Sequence, residues 1–171
     1  MKAIKIILGI ITAIVVIFFI TGLFIKETKF VTKVTIQKPV ENVFVYLKNQ
    51  QKFKEWMPEI VSLTPLLEKT GKIGSSYLLI VKKGDTELKI KQKILAFIPN
   101  KKITFTFETK DLFKKDEYKL TNNRNETLIK KTSIYKSKSY IMSCVFPYFK
   151  SKLQNEEQLF LDRLKNIVEN N

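Results

Sequence analysis

The chain has 171 residues and a formal net charge of +15, from 31 lysines and arginines against 16 acidic residues, with no histidine and one cysteine, Cys144. That composition excludes an intrachain disulfide, a Cys/His metal site and the commonest general base. Arginine occurs at Arg124 and Arg163, so the basicity is carried by lysine. Specific nucleic-acid readers lean on arginine forks, so no specific nucleic-acid partner is expected. Lysine charge suits a diffuse attraction to anionic surfaces, or simply a lysine-rich composition. Cys144 sits in the apolar run YIMSCVF and reads as a small buried side chain.

Residues 1–5 form a short basic tail with Lys2 and Lys5. Residues 6–25, IILGIITAIVVIFFITGLFI, carry no charge, and their polar side chains are Thr12 and Thr21. A helix of about 20 apolar residues spans the ~30 Å hydrocarbon core of a bilayer. In lipid the backbone must satisfy itself, so a helix is expected despite the β-branched content. The run outlasts a signal-peptide core and ends without a small-residue cleavage pattern, so an uncleaved single-pass anchor is expected. Lysines stand on both sides of it, so the charge count does not fix topology. A short basic tail before a first apolar run favours export of the domain that follows.

Residues 29–37, KFVTKVTIQ, alternate as a strand, with Phe30, Thr32, Val34 and Ile36 on one face. Pro39 opens a short helix whose Val40, Val43, Phe44 and Leu47 make one buried face. A second short helix is expected over 51–56. Strands follow at 61–70, 75–83, 87–97, 101–110, 117–121 and 128–136, with turn signals between them. A helical lead-in is expected over 139–146, and Pro147 resets it. A long C-terminal helix then carries Phe149, Leu153, Phe160, Leu164, Ile167 and Val168 as its apolar stripe, interrupted by Glu156 and Glu157.

Strand, two short helices, six antiparallel strands and a long last helix predict an α+β fold, a curved seven-stranded antiparallel sheet wrapped on the C-terminal helix. Three motifs sharpen this: Ile36-x-x-Pro39-x-x-x-Val43-Phe44-x-x-Leu47, Trp56-x-Pro58, and Gly71-x-x-Gly74-x-x-Tyr77. In that order they resemble the START-like (SRPBCC) superfamily, the helix-grip fold shared with polyketide cyclase/dehydrase-type proteins and the birch-pollen-allergen group. The resemblance covers residues 30 to 168, inside an expected domain of 26–171. A membrane anchor ahead of such a domain is similar to a bacterial subgroup.

The resemblance implies a cavity for a hydrophobic or lipid-like small molecule between sheet and last helix. It does not imply catalysis, since the superfamily mixes carriers, sensors and enzymes. Lining residues are expected among Trp56, Leu88, Ile90, Ile103, Phe105, Phe107, Tyr118, Phe149, Leu153 and Phe160, each of which also reads as ordinary core. Trp56 reads equally as a gate at the mouth or a plug under the short helices. Glu156 or Glu157 is the candidate polar group in the cavity, unless both stay solvated. Tyr77, Tyr118 and Tyr135 are available as hydroxyls. No base or metal is positioned by the pattern, so no catalytic residues, metal or cofactor are expected, and the chain is expected to act as a monomer. A cyclase/dehydrase-type enzyme using a buried carboxylate or tyrosine, and a membrane interaction module with a vestigial cavity, stand as alternatives. Lys89, Lys91 and Lys93 fall on the outer face of the sheet.

Overall fold

The computed structural model describes residues 2–171, Lys83 by its backbone. Met1, part of the expected tail, lies outside the described residues. Helix α1 (Lys2–Phe24) takes in the rest of that tail. It is apolar on all sides and buries Gly22 alone. Its most apolar window has a mean hydropathy of 2.9, so it is long and apolar enough to cross a membrane.

Strand β1 (Thr28–Ile36) follows, then α2 (Val40–Lys48), a 3-10 turn (Gln50–Lys52) and α3 (Phe53–Trp56). The meander runs through β2 (Ile60–Leu67), β3 (Ser76–Lys83), β4 (Thr86–Ile98), β5 (Lys102–Glu108), β6 (Leu112–Asn123) and β7 (Glu126–Ser137). Helices α4 (Tyr140–Val145) and α5 (Lys150–Asn170) close the chain. The sheet order is β1-β7-β6-β5-β4-β3-β2, antiparallel throughout. This is the START-like helix-grip architecture that the motifs imply.

Curvature comes in part from a bulge in β4. Ile94 faces Phe105, but the next aligned pair is Ala96 and Thr104. The extra residue, Leu95, is exposed. It shifts the alternation by one, so Phe97 turns inward and its ring lies 5.5 Å from that of Phe44. On the concave face Ile103, Phe105, Tyr118 and Ile129 meet Leu161, Leu164 and Val168 of α5. Val40, Val43, Phe44 and Leu47 of α2 close the same core, as their spacing predicts.

Helix α5 also closes one edge of the sheet. β1 is an edge strand, and its outward backbone groups would otherwise be open to another chain. Gln154 donates to the Val31 carbonyl at 3.2 Å and Gln158 to the Lys33 carbonyl at 3.0 Å. Gln37 N–H donates to Glu169 at 2.7 Å. These contacts set the direction of α5: its first turns lie at the end of the sheet where α1 arrives.

Candidate functional site

The sheet register defines that end. Thr28 of β1 faces Tyr135 of β7, and Tyr135 faces Lys114 of β6. Lys114 faces Phe107 of β5, and Phe107 faces Gln92 of β4. Beyond this row, on the α1 side, lie Thr109, Leu112, Ile90, Leu79 and Val81. Together with Ile60, Met57, Glu59, Phe107, Lys114 and Phe160 of α5, these residues line a chamber of about 170 Å³. Its wall is mostly apolar; Glu59, Thr109 and Lys114 are the polar members. The chamber is therefore placed at the end of the sheet from which α1 leaves.

Behind the chamber, between β6, β7 and α5, sits a charged cluster. Lys131 is fully buried, as is Asp116, and Glu157 is nearly so. Glu157 accepts from Lys131 and Tyr135 and pairs with Lys114. Asp116 lies 2.9 Å from Lys114 and 3.3 Å from Lys131, and Ser133 donates to it at 2.8 Å. Two cations face two carboxylates, so the cluster is neutral as a whole. Buried charge is tolerable here because each group is paired and hydrogen-bonded.

The cluster fixes protonation states. Burial pushes the Glu157 carboxyl up, but Lys114 and Lys131 outweigh it and hold it well below the usual carboxylate range. Burial pulls Lys114 and Lys131 down, and the two carboxylates more than reverse this, raising both. Burial pushes the Tyr118 phenol up to about 12. Burial, with the charge of Glu157, raises Tyr135 as well. At neutral pH the site presents ammonium and phenol donors and occupied carboxylates. A general acid needs a carboxyl raised toward neutrality and a base needs an open one; Glu157 is neither.

Lys114 links cluster and chamber. Its side chain keeps 16% exposure while pairing with both carboxylates. Its ammonium lies 5.2 Å from the centre of the Phe107 ring and 5.4 Å from that of Tyr135. It is the one cation in the described lining of the chamber.

The expected site residues divide into three groups. Ile90, Phe107 and Phe160 line the chamber. Trp56, Ile103, Phe105 and Tyr118 are fully buried in the core instead. Trp56 takes the plug arrangement, its ring 5.2 Å from that of Phe53, which in turn packs on Phe105. These rings fill the middle of the sheet–helix space beside the chamber. Leu88 shares the inward parity but is 44% exposed, because β4 there runs past the helix that would cover it. Phe149 and Leu153 line no part of the chamber. They border a separate groove beside α4 with Glu156. Of the two glutamates, Glu157 turns into the domain.

Sequence reasoning missed Lys114, Asp116 and Lys131. For Lys114 and Asp116 the reason is the start of β6, placed at 117 where the strand begins at Leu112; Lys131 lay inside the strand expected at 128–136, but its inward side was not read. Stepping back by two from Tyr118 gives Asp116 and Lys114 on the concave face. The same alternation from Ile129 gives Lys131, Ser133 and Tyr135.

No protein-family model matches the sequence, and no curated protein matches it. Solved structures do share the fold. A START superfamily protein from Mycobacterium smegmatis superposes with a TM-score of 0.69 at 13% identity, covering 83% of this chain and 97% of its own. The Zhui aromatase/cyclase from Streptomyces sp. R1128 gives 0.68 at 12% identity, covering 84% of this chain and 94% of its own. The di-domain aromatase/cyclase StfQ of the steffimycin biosynthetic pathway gives 0.70 at 16% identity over 84% of this chain. This chain spans about half of StfQ, 52% of its length. At such identities the likeness is one of fold.

Proposed function

We propose that this START-like chain is a membrane-tethered binding domain for a hydrophobic or amphipathic small molecule, with α1 as the bilayer-spanning anchor. The observation that carries the reading is the position of the chamber: it lies at the end of the sheet from which α1 emerges. Chamber and proposed anchor thus share one end of the sheet. At about 170 Å³ the chamber is close to a cavity known to hold benzene, roughly 150 Å³. It is smaller than the ~300–1,000 Å³ pockets that enclose whole drug-sized ligands. It therefore takes one ring, or a short stretch of chain, and leaves the remainder at the mouth. Lys114 supplies a donor for a carbonyl, hydroxyl or acidic oxygen on that ligand. The low-lying Glu157 carboxyl and the raised Tyr118 and Tyr135 phenols favour binding over acid–base turnover.

The test uses the full chain purified in detergent, with organic extraction and mass spectrometry of what comes with it. The wild type should yield an amphipathic species, and Val81→Trp, which fills the mouth of the chamber, should lose it while melting at a similar temperature. Equal recovery from both proteins, or none from the wild type after exposure to a total lipid extract, rejects the reading.

A further inference from the structure

We propose that residues 140–149 are a second membrane-insertion element, an apolar elbow that enters the headgroup–acyl boundary beside α1. The proposal rests on α1 spanning the bilayer, as proposed above. The elbow is YIMSCVFPYF, a short helix turned at Pro147. Ile141 is 60% exposed, Tyr148 58% and Phe149 49%, and Tyr140 and Met142 are exposed as well. So many large apolar side chains on ten residues are out of place on a surface facing water.

The elbow is docked on α1 itself. A Cβ on Gly22 would lie 2.2 Å from the Cys144 sulfur, so glycine is what lets the two helices touch. Tyr140 donates to the Phe19 carbonyl at 2.6 Å, and its ring stacks on Phe19. Tyr148 stacks on Phe18 and shares a 3.0 Å hydrogen bond with Thr21. A groove of about 430 Å³ between Ile14, Ile17 and Phe18 on one side and Val145, Tyr148 and Phe149 on the other continues the contact. At 1.5 Å per residue, Phe18 lies about 9 Å and Ile14 about 15 Å from the Phe24 end of α1. Whatever surrounds that stretch of α1 also surrounds the elbow. If α1 is in lipid, so are Ile141, Tyr148 and Phe149, at a depth typical of interfacial helices, ~5–10 Å or slightly more. Charge fits the same occupant. Lys138 precedes the elbow, Lys150 and Lys152 follow it, and Lys26 follows α1; all four are exposed, Lys138 in a 2.9 Å pair with Glu108. Lysines so placed meet anionic headgroups.

The test reconstitutes the full chain in vesicles of phosphatidylcholine and phosphatidylglycerol and reads tryptophan quenching. Phe149→Trp and Ile141→Trp are compared with Leu128→Trp, at the opposite end of the sheet. Trp56, fully buried, gives the background, read in the wild type. Quenchers carried on the acyl chains should quench the two elbow tryptophans severalfold more than the control, and aqueous acrylamide severalfold less. Elbow tryptophans as open to acrylamide as the control overturn the proposal. Shielding from acrylamide without lipid quenching points to a protein partner and overturns it too. Alkaline carbonate extraction separates the two readings. A chain that stays in the membrane with acrylamide-accessible elbow tryptophans refutes the elbow alone, whereas a chain that is extracted refutes the anchor and the elbow together.

Discussion

Replacing Glu157 by glutamine tests the charged cluster directly. In the native protein Lys114 and Lys131 face Asp116 and Glu157. Glu157→Gln leaves two cations against one carboxylate, and Lys131 has no route to water at 0% exposure. Breaking a buried pair in this way costs about 3–5 kcal/mol. The glutamine oxygen can still accept from Tyr135, which favours the lower end, about 3 kcal/mol. At roughly 3 °C per kcal/mol for a domain of this size, the melting temperature should fall by about 10 °C. The double variant Lys131→Met, Glu157→Gln leaves Lys114 and Asp116 as one pair and restores neutrality, so it should be more stable than the single variant. The assay is thermal unfolding of the full chain in detergent, followed by the fluorescence of buried Trp56. If Glu157→Gln melts with the wild type, or the double variant is the weaker of the two, the cluster is not the desolvated network described above.

The same cluster sets a pH dependence. The folded carboxyl of Glu157 is held below its unfolded value, so its stabilisation is complete above the unfolded pKa of about 4.3 and is lost as pH falls toward the folded value. Denaturant midpoints should show the wild type losing this advantage over Glu157→Gln as pH drops below about 4. Gly22→Ala should destabilise by about 1–3 kcal/mol through overpacking against Cys144; thermal unfolding should show recovery in Gly22→Ala, Cys144→Ala, and a silent single variant refutes the contact. Gln92 is fully buried, and neither of its amide atoms has a hydrogen-bond partner among the described residues. Gln92→Met should therefore raise the melting temperature, by the equivalent of about 1–3 kcal/mol; a lower value means that ordered water or a ligand satisfies the amide.

The fold was legible because its signals are local. Alternation in Phe30, Thr32, Val34 and Ile36 and the i, i+3, i+4, i+7 face of α2 each specify an element with one buried side. The site was less legible because it breaks the rule that makes strands readable. In β6 the inward residues just before Tyr118 are Asp116 and Lys114, so a charged run resembles a turn although its period is two. In α5 the positions Leu153, Glu157, Leu161, Leu164 and Val168 keep helical spacing, and that row gives Glu157 over Glu156. A stripe that instead includes Phe149 and Phe160 is broader than the buried face, since Phe149 precedes α5 and is 49% exposed and Phe160 is half-buried. The elbow was unreadable for a related reason. Its apolar residues look like core, but the surface they meet is another helix outside the sheet.

The edge closure by α5 has a consequence for biogenesis. β1 leaves the ribosome just behind α1, yet its partner β7 lies roughly a hundred residues later, as in the Thr28–Tyr135 pair. Gln154, Gln158 and Glu169, which cover its other side, come later still. If α1 is the anchor proposed above, β1 is during synthesis an unpaired strand held at the membrane, with every copy at the same height above the surface. Crowded nascent chains would present matching edges to one another, and a chain truncated before α5 would keep that edge open for good. Completion of the domain therefore waits for the synthesis of α5, whose side chains close the edge.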